Sequence, residues 1–357
     1  MVDILDLSTE EIDRLIAMAE DIAANPAKYQ EALRHHTLAT LFFEPSTRTR
    51  LSFESAMLSL GGNVIGFSDA DTCSATKGES LADTVTVVSG YADLIAMRHP
   101  QEGAPLVACE HASVPVINAG DGGHYHPTQT LADLLTIKRE KGRLDHLTVG
   151  FCGDLKYGRT VHSLIAAMSR YPGVRFVLIS PQELALPAFV LEESVRKKKI
   201  PYEVHTSLDE VIGGLDVLYM TRVQKERFDD PDSYERLRDV YILTEEKMRA
   251  AGKDMIVMHP LPRVNEISPD IDKDPRACYF RQTVNGKLMR MALILFLLSE
   301  RDQPDVDRCR GTAVKCGCRC GNSRCITATE REKPRFYKDH TGTVRCAYCD
   351  TEITPDI

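Results

Sequence analysis

Short apolar runs alternate with helical stretches along most of this chain, and that alternation limits the fold more than any other feature. Thr40-Leu41-Phe42-Phe43, Val64-Ile65-Gly66-Phe67, Leu94-Ile95-Ala96-Met97 and Pro115-Val116-Ile117 read as strands. Helices are predicted over Arg50–Leu60 and Leu81–Gly90 between them. Strands separated by helices cannot pair as hairpins, so they form a parallel sheet with both faces covered. The pattern restarts near Leu144, with strands at Leu147–Phe151, Phe176–Ile179, Val217–Met220 and Met255–Met258. Lys138–Arg143 reads as a polar hinge between the two sets. The expected fold is therefore α/β: two doubly wound parallel-sheet domains with a cleft between them. At the start, Ser8-Thr9-Glu10-Glu11 has the spacing of a helix capping box. Near residue 300, the apolar run Lys287–Ser299 reads as a closing helix that returns to the first domain.

The tail differs from this body. Seven of the 11 cysteines fall at or beyond Cys309, and the charge changes there too. From Asp305 onward ten Lys/Arg face eight Asp/Glu, so the tail carries +2 and residues 1–304 carry −10 of the net −8. We place a small module at 305–357, after a first domain at 1–143 (with the returning helix 286–300) and a second at 144–285. A net charge of −8 argues against a general nucleic-acid binder, though not against a small anion. The N-terminus lacks a basic stretch followed by an apolar run. The longest apolar stretch, Leu288–Leu298, holds Arg290 and falls short of the roughly 20 residues a bilayer requires. A cytoplasmic protein with no membrane partner is expected.

Chemistry concentrates where strands end. After Phe43, Pro45 stops the strand and Ser46-Thr47-Arg48-Thr49-Arg50 leads into a helix. Hydroxyls, guanidinium groups and free backbone N–H groups at a helix start form an anion site. Ser46 or Thr47 would also serve as a plain N-cap. Arginine in that place opposes the helix dipole unless an anion is bound, which favours the binding reading. Arg98 stands at another strand end. His126-Pro127-Thr128-Gln129 follows the turn Gly120-Asp121-Gly122-Gly123, where His126 is placed to polarise a carbonyl. Gly153-Asp154-Leu155-Lys156-Tyr157-Gly158-Arg159 lacks the dinucleotide spacing, so no nicotinamide cofactor is inferred. Arg222 with Gln224, and His259-Pro260-Leu261-Pro262-Arg263, follow strands of the second set.

Over residues 1–300 these motifs, in this order, resemble the catalytic chains of the aspartate carbamoyltransferase family. The resemblance implies transfer of a carbamoyl group from carbamoyl phosphate to L-aspartate, an early step of pyrimidine synthesis. It makes Arg48, Thr49, Lys77, Arg98 and His126 the catalytic set. Ser46, Thr47, Arg48 and Thr49 match phosphate contacts; Thr49, Arg98 and His126 match the groups on the carbamoyl oxygen. Gln129 and the carbonyls of Pro260 and Leu261, beside Pro262, match contacts to the carbamoyl amine. In the family the Leu261-Pro262 peptide is cis. Arg159, Arg222 and Gln224 match the aspartate site. The loop Thr72–Glu79 matches one lent to a neighbouring subunit, with Lys77 contacting both substrates, which implies a homotrimer or a multiple of it. Ser74 or Cys73 fills the other position in that loop; Ser74 is preferred because its hydroxyl can donate to phosphate. Glu44, Arg159 and Arg227 match residues that bridge the domains on closure. No metal is expected in catalysis.

In the tail, Cys320, Cys325, Cys346 and Cys349 form C-x4-C and C-x2-C pairs, a spacing that suits structural Zn²⁺. Cys316 and Cys318 could compete as ligands. The segment resembles the zinc domain of the family's regulatory chain, including Asn322, Ser323 and Ile326, as if fused to a catalytic chain without the nucleotide-binding part. It is expected to brace contacts between catalytic chains. A nucleic-acid zinc ribbon fits the near-neutral tail poorly. Two rivals stand beside the main reading. An ornithine carbamoyltransferase-like enzyme typically carries His-Cys-Leu-Pro where this chain has His259-Pro260-Leu261-Pro262, and Arg159 and Arg222 suit a dicarboxylate better. An inactive zinc-dependent scaffold would not need the full set of site residues.

Overall fold

The computed structural model describes residues 1–223, 241–299, 311–315, 317–330, 332–339 and 341–353. Its main elements run α1 (Thr9–Ala24), β1 (Thr37–Phe42), α2 (Thr47–Ser59), β2 (Asn63–Phe67), α3 (Leu81–Val88), β3 (Leu94–His99), α4 (Ala104–His111), β4 (Val116–Asp121) and α5 (Pro127–Lys141). They continue with β5 (Thr148–Cys152), α6 (Arg159–Met168), β6 (Arg175–Ile179), α7 (Ala188–Leu191), β7 (Tyr202–His205), β8 (Val217–Met220), α8 (Glu245–Ala250), β9 (Ile256–Met258) and α9 (Tyr279–Ser299). The module adds β10 (Thr312–Val314), β11 (Phe336–Lys338) and β12 (Val344–Cys346).

The chain divides into two compact units, 1–128 with 287–357, and 129–286. In the first, a four-stranded parallel sheet has the order β2-β1-β3-β4. Its central strands are almost wholly buried, which is why they read as continuous apolar runs rather than alternating ones. α1 starts at the predicted box: the Glu11 N–H donates to Ser8 Oγ at 3.1 Å and the Ser8 N–H to Glu11 Oε2 at 2.7 Å. Ile12, Leu15, Ile16, Ala19 and Ile22 then bury one face. The second unit holds a five-stranded parallel sheet, β7-β6-β5-β8-β9.

The elements depart from the sequence reading in several places. β4 runs on to Asp121, so Gly120 and Asp121 of the expected turn close the strand, and α4 was not read at all. β7 was not foreseen, because an edge strand faces water and Tyr202-Glu203-Val204-His205 carries little apolar signal. The expected hinge at 138–143 is helical through Lys141, because its Lys-Arg-Glu-Lys run favours a helix's last turn. Gly142, at φ +72°, then ends the helix. α9 begins at Tyr279 rather than Lys287, since Gln282 and Asn285 are buried polar residues that broke the apolar pattern. α2 begins at Thr47 rather than Arg50, which places three site residues in its first turn.

The module is a three-stranded antiparallel sheet, β10-β11-β12. It packs on the first unit of its own chain. Cys325, Ile326, Phe336, Cys346, Tyr348 and Cys349 share one hydrophobic core with Met97, Ala104, Leu106 and Val107. Gly103, at φ +84°, is part of that seam: a Cβ there would lie 2.6 Å from the Tyr348 carbonyl oxygen.

Candidate active site and metal centre

In a parallel sheet every strand delivers its following loop to the same edge. In the first unit those loops carry the expected residues: 46–49 after β1, 74–77 after β2, Arg98 in β3 and His126 after β4. Ser46 is the N-cap of α2, and its side chain makes no capping hydrogen bond. Thr47 and Arg48 are exposed and Thr49 is half-buried. No acidic residue lies in the first turn, so its N–H groups and dipole favour an anion. Arg50 turns away from the loop: its Nε meets Glu54 Oε1 at 2.8 Å, which balances this second guanidinium within the helix. Arg98 Nη2 pairs with Glu44 Oε2 at 2.7 Å. Glu44 thus fixes Arg98 beside the start of the 46–50 loop.

Lys77 ends a short 3-10 turn, Ser74–Lys77, and is exposed. Ser74 is placed by its backbone alone. The thiol of Cys73 donates to the Ala70 carbonyl at 3.1 Å, which commits that side chain to its own loop. Next to Arg98, burial pushes the His99 imidazole down to about 4, so it is neutral, and its Nδ1 accepts from the Gln101 N–H at 3.1 Å.

His126 is buried at the end of a turn wrapped around one carboxylate. Asp121, itself fully buried, accepts from the Asn118 side chain at 3.0 Å, the Gly103 N–H at 3.0 Å and the Tyr125 N–H at 2.9 Å. Its Oδ2 also lies 3.1 Å from His124 Nδ1. Burial opposes charge on His124, but Asp121 on one side and Asp350 on the other outweigh it and raise its pKa well above the ordinary value. Gly122, at φ +57°, allows the turn to pass close to the Pro100 carbonyl; a Cβ would meet that oxygen at 2.5 Å.

The second unit gathers the other set. Arg159 opens α6 after β5, Arg222 follows β8, and Pro260–Pro262 follow β9, and these three strands are neighbours in the sheet. The β5 and β8 loops are tied together: the Asp154 N–H donates to Thr221 Oγ1 at 2.9 Å. Gly153 sits so close that a Cβ would meet the Thr221 carbonyl at 2.3 Å. The Leu261-Pro262 peptide is cis. Gln224 and Arg227 lie outside the described residues.

A polar chain that sequence reading missed holds two of these contacts. Gln129 Nε2 donates to Asp133 Oδ1 at 2.7 Å, and Gln282 Nε2 donates to the same oxygen at 2.5 Å. The Tyr219 hydroxyl donates to Asp133 Oδ2 at 3.0 Å; burial, reinforced by that carboxylate, raises the phenol's pKa well above the usual range. Gln282 Oε1 in turn accepts the His259 N–H at 3.1 Å, and His259 Nδ1 accepts the Leu261 N–H at 2.8 Å. His259 Nε2 lies 2.7 Å from Glu266 Oε1. Burial opposes charge on Glu266, yet His259 and the Val264 N–H hold its carboxyl below the usual range. The i, i+4 spacing of Gln129 and Asp133 on one helix face was the available signal. Arg290, the charge inside α9, was also missed: it is buried, lies 5.0 Å from the Phe53 ring centroid and donates to Ser52 Oγ at 3.1 Å.

The four tail cysteines come together, with all four sulfurs within 4.8 Å of one another. Cys320 Sγ lies 3.6 Å from Cys349 Sγ, and Cys325 Sγ lies 3.8 Å from Cys346 Sγ. Four thiolates around one ion at about 2.3 Å give tetrahedron edges of about 3.8 Å, so the donor set fits a metal. Hydrogen bonds from Cys325 and Cys346 hold the Cys320 thiol below its ordinary range, and Cys320 does the same for Cys349. Among the described residues Cys318 is not in this group, and Cys316 lies outside them.

Comparison with known proteins agrees with this geometry. Residues 1–139 match the model of the aspartate/ornithine carbamoyltransferase carbamoyl-P binding domain, and residues 145–297 that of the Asp/Orn binding domain. Residues 313–357 match the metal binding domain of the aspartate carbamoyltransferase regulatory chain. The aspartate carbamoyltransferase catalytic subunit of Lachnoclostridium phytofermentans is 62% identical over 295 residues, which are 83% of this chain and 96% of that one. Its counterpart in Clostridium acetobutylicum is 57% identical over 298 residues, 84% and 97% of the two chains. Among solved structures, the catalytic subunit of M. jannaschii aspartate transcarbamoylase superposes with a TM-score of 0.79 at 48% identity, covering 84% of this chain and 98% of that one. The Trypanosoma cruzi enzyme in complex with carbamoyl phosphate and aspartate also gives 0.79, at 39% identity and 84% and 96% coverage. On these matches, the chain belongs to the aspartate/ornithine carbamoyltransferase family, among the aspartate carbamoyltransferase catalytic subunits, and carries a regulatory-chain type metal-binding domain over residues 313–357.

Proposed function

We propose that the chain transfers the carbamoyl group of carbamoyl phosphate to the amine of L-aspartate, giving N-carbamoyl-L-aspartate and phosphate for pyrimidine biosynthesis. The observation that carries this reading is the set of loops at the carboxyl ends of β1, β3 and β4, with an uncapped helix start beside the Arg98–Glu44 pair and buried His126. In the proposed reaction, Ser46, Thr47, Arg48 and Thr49 hold the phosphate. Thr49, Arg98 and His126 stabilise the negative charge that builds on the carbamoyl oxygen. Gln129 and the carbonyls of Pro260 and Leu261 orient the carbamoyl amine, with Pro262 fixing the turn. Arg159, Arg222 and Gln224 hold the aspartate carboxylates. The aspartate nitrogen attacks the carbonyl carbon, the bond to the phosphate oxygen breaks, and the nitrogen's proton passes to the departing phosphate. Positioning the two substrates supplies much of the rate, and the transfer needs no metal.

Ser74 and Lys77 complete the site of a neighbouring chain in this proposal, so the working unit is a homotrimer or a multiple of it. Exposed Leu51, Leu58 and Ile65 on α2 and the edge strand β2 support an association through this unit. The domain limits proposed are 1–143 with 286–300 for carbamoyl phosphate, 144–285 for aspartate and 305–357 for the module. Zinc is the ion proposed for Cys320, Cys325, Cys346 and Cys349, in a structural role. A cytoplasmic location is proposed; no helix among the described residues is long and apolar enough to cross a membrane.

The test is a turnover assay of the purified chain with carbamoyl phosphate and either aspartate or ornithine. Carbamoyl-aspartate alone is expected. Turnover with ornithine instead would move the chain to the sister activity, and no turnover with either would sink the enzyme reading.

A further inference from the structure

Most contacts between the module and the first unit hold the module in place without touching the candidate site. Asn322 Nδ2 donates to Glu102 Oε2 at 2.7 Å, and across the seam the Glu102 N–H donates to the Arg324 carbonyl at 2.9 Å and the Ile326 N–H to the Glu102 carbonyl at 3.0 Å. Arg335 pairs with Glu110 on α4, and Glu330 accepts the first N–H of α3 at 3.1 Å.

Asp350 is different, because it reaches the turn that ends at His126. Its Oδ2 accepts from the Tyr125 hydroxyl at 2.5 Å and lies 3.1 Å from His124 Nε2. Its Oδ1 accepts from the Tyr337 hydroxyl at 2.8 Å, which fixes the carboxylate within the module. The other nitrogen of His124 faces Asp121, so one imidazole is held between a carboxylate of the α/β unit and one of the module. His124 and Tyr125 also stack, with ring centroids 3.7 Å apart. The residue that follows is His126.

We propose that Asp350 is a positioning residue for carbamoyl transfer: by gripping His124 and Tyr125 it sets where the His126 side chain points, so the module tunes the half-site of its own chain. This rests on the function proposed above. The physical reason is the shortness of the lever. Two anchored side chains immediately before His126 leave few dihedrals free to move it, and a displacement of about 1 Å in a positioned group can cost about 100-fold in rate. Without the Asp350 carboxylate, the Tyr125 hydroxyl and the outer imidazole nitrogen of His124 lose this anchor, and the turn loses its hold from the module.

The experiment uses the full, metal-loaded chain. Asp350→Ala, with its metal content checked, is compared with wild type for kcat, for both KM values and for the His126 ring signals in histidine-labelled NMR, assigned with His126→Asn. The expected result is a fall in kcat of about ten-fold with KM for aspartate within about two-fold. Shifted His126 signals and partial recovery in Asp350→Glu are expected with it. Arg335→Gln, which breaks the docking contact with Glu110 on α4 and leaves the bonds of Asp350 to the turn in place, is expected to keep kcat and the His126 signals. An Asp350→Ala chain that retains its metal, wild-type kcat and unshifted His126 signals would overturn the proposal. So would an equal loss in Arg335→Gln, which would reduce Asp350 to one docking contact among several. Should the wild-type chain show no turnover, the transfer reading fails by itself, while unmoved or moved His126 signals still decide whether Asp350 places that ring.

Discussion

In the second unit, the loop His259–Pro262 is held by groups of that same unit: Asp133 and Gln282 behind it and Glu266 beside it. In the first unit, the turn before His126 is held from one side by its own Asp121 and from the other by Asp350, a residue of the appended module. The contacts named for the first arrangement all lie within one unit. The second is complete only with a cysteine-rich segment more than 200 residues away in sequence docked against it. The difference teaches that a segment added after a catalytic body can become part of the site's framework without contributing a group to the chemistry.

The contrast can be broken most forcefully by removing the metal. For small thiolate modules metal binding is folding free energy, on the order of 10 kcal/mol. Chelation, or Cys346→Ser, is expected to unfold β10–β12 and expose the tail thiols to a thiol reagent while the second unit keeps its resistance to proteolysis. Equal loss of protection in both units would erase the distinction. Next in size is Asp133→Ala, which strips the acceptor from Gln129, Gln282 and Tyr219 in a buried site. A loss of about 3–5 kcal/mol is expected in urea unfolding of the second unit, with metal retention unchanged.

A pH series sharpens the comparison inside the first unit. The buried His99 is held down to about 4, so the unfolded chain takes up its proton first as pH falls below about 6.5. Stability should therefore drop by about 3 kcal/mol between about pH 6.5 and 4. His124 has the opposite sign. Its raised pKa gives stability that is complete below about pH 6.5 and is lost as pH rises through the folded value. Melting temperature should fall on both sides of about pH 6.5, and His124→Gln should flatten only the alkaline limb. An alkaline limb that survives in that variant would remove His124 from the account. The smallest effect is expected for Gly103→Ala, whose new Cβ would meet Tyr348 at 2.6 Å in a left-handed backbone. A cost of about 1–3 kcal/mol, read as faster metal loss to chelator, would place the docking seam there. Unchanged metal release would show that the module rests on its other contacts.

Much of this was legible in the sequence because periodicity reports burial. Fully covered central strands announced themselves as apolar runs, Ser8 and Glu11 announced the first cap, and the Ser46–Arg50 run announced a helix start, which the structure places at Thr47. Where burial and polarity disagree, the same signal failed. Gln282 and Asn285 hid two turns of α9, and the half-exposed β7 gave no strand pattern. Arg50 looked like a partner of Arg48, but local helix geometry turns it to Glu54.

By itself, then, the sequence determined the order of strands and helices, which loops follow which strands, and the cysteine pairs of the tail. These depend on residues close together in the chain, where propensity and spacing act. The tertiary structure alone decided that β1 and β3 are neighbours, that Asp133 serves Gln129 and Gln282 together, and that Asp350 meets His124 and Tyr125. Periodicity specifies that a side chain is buried or exposed, but a carboxylate's partner is chosen by packing, which brings together groups that no local pattern connects.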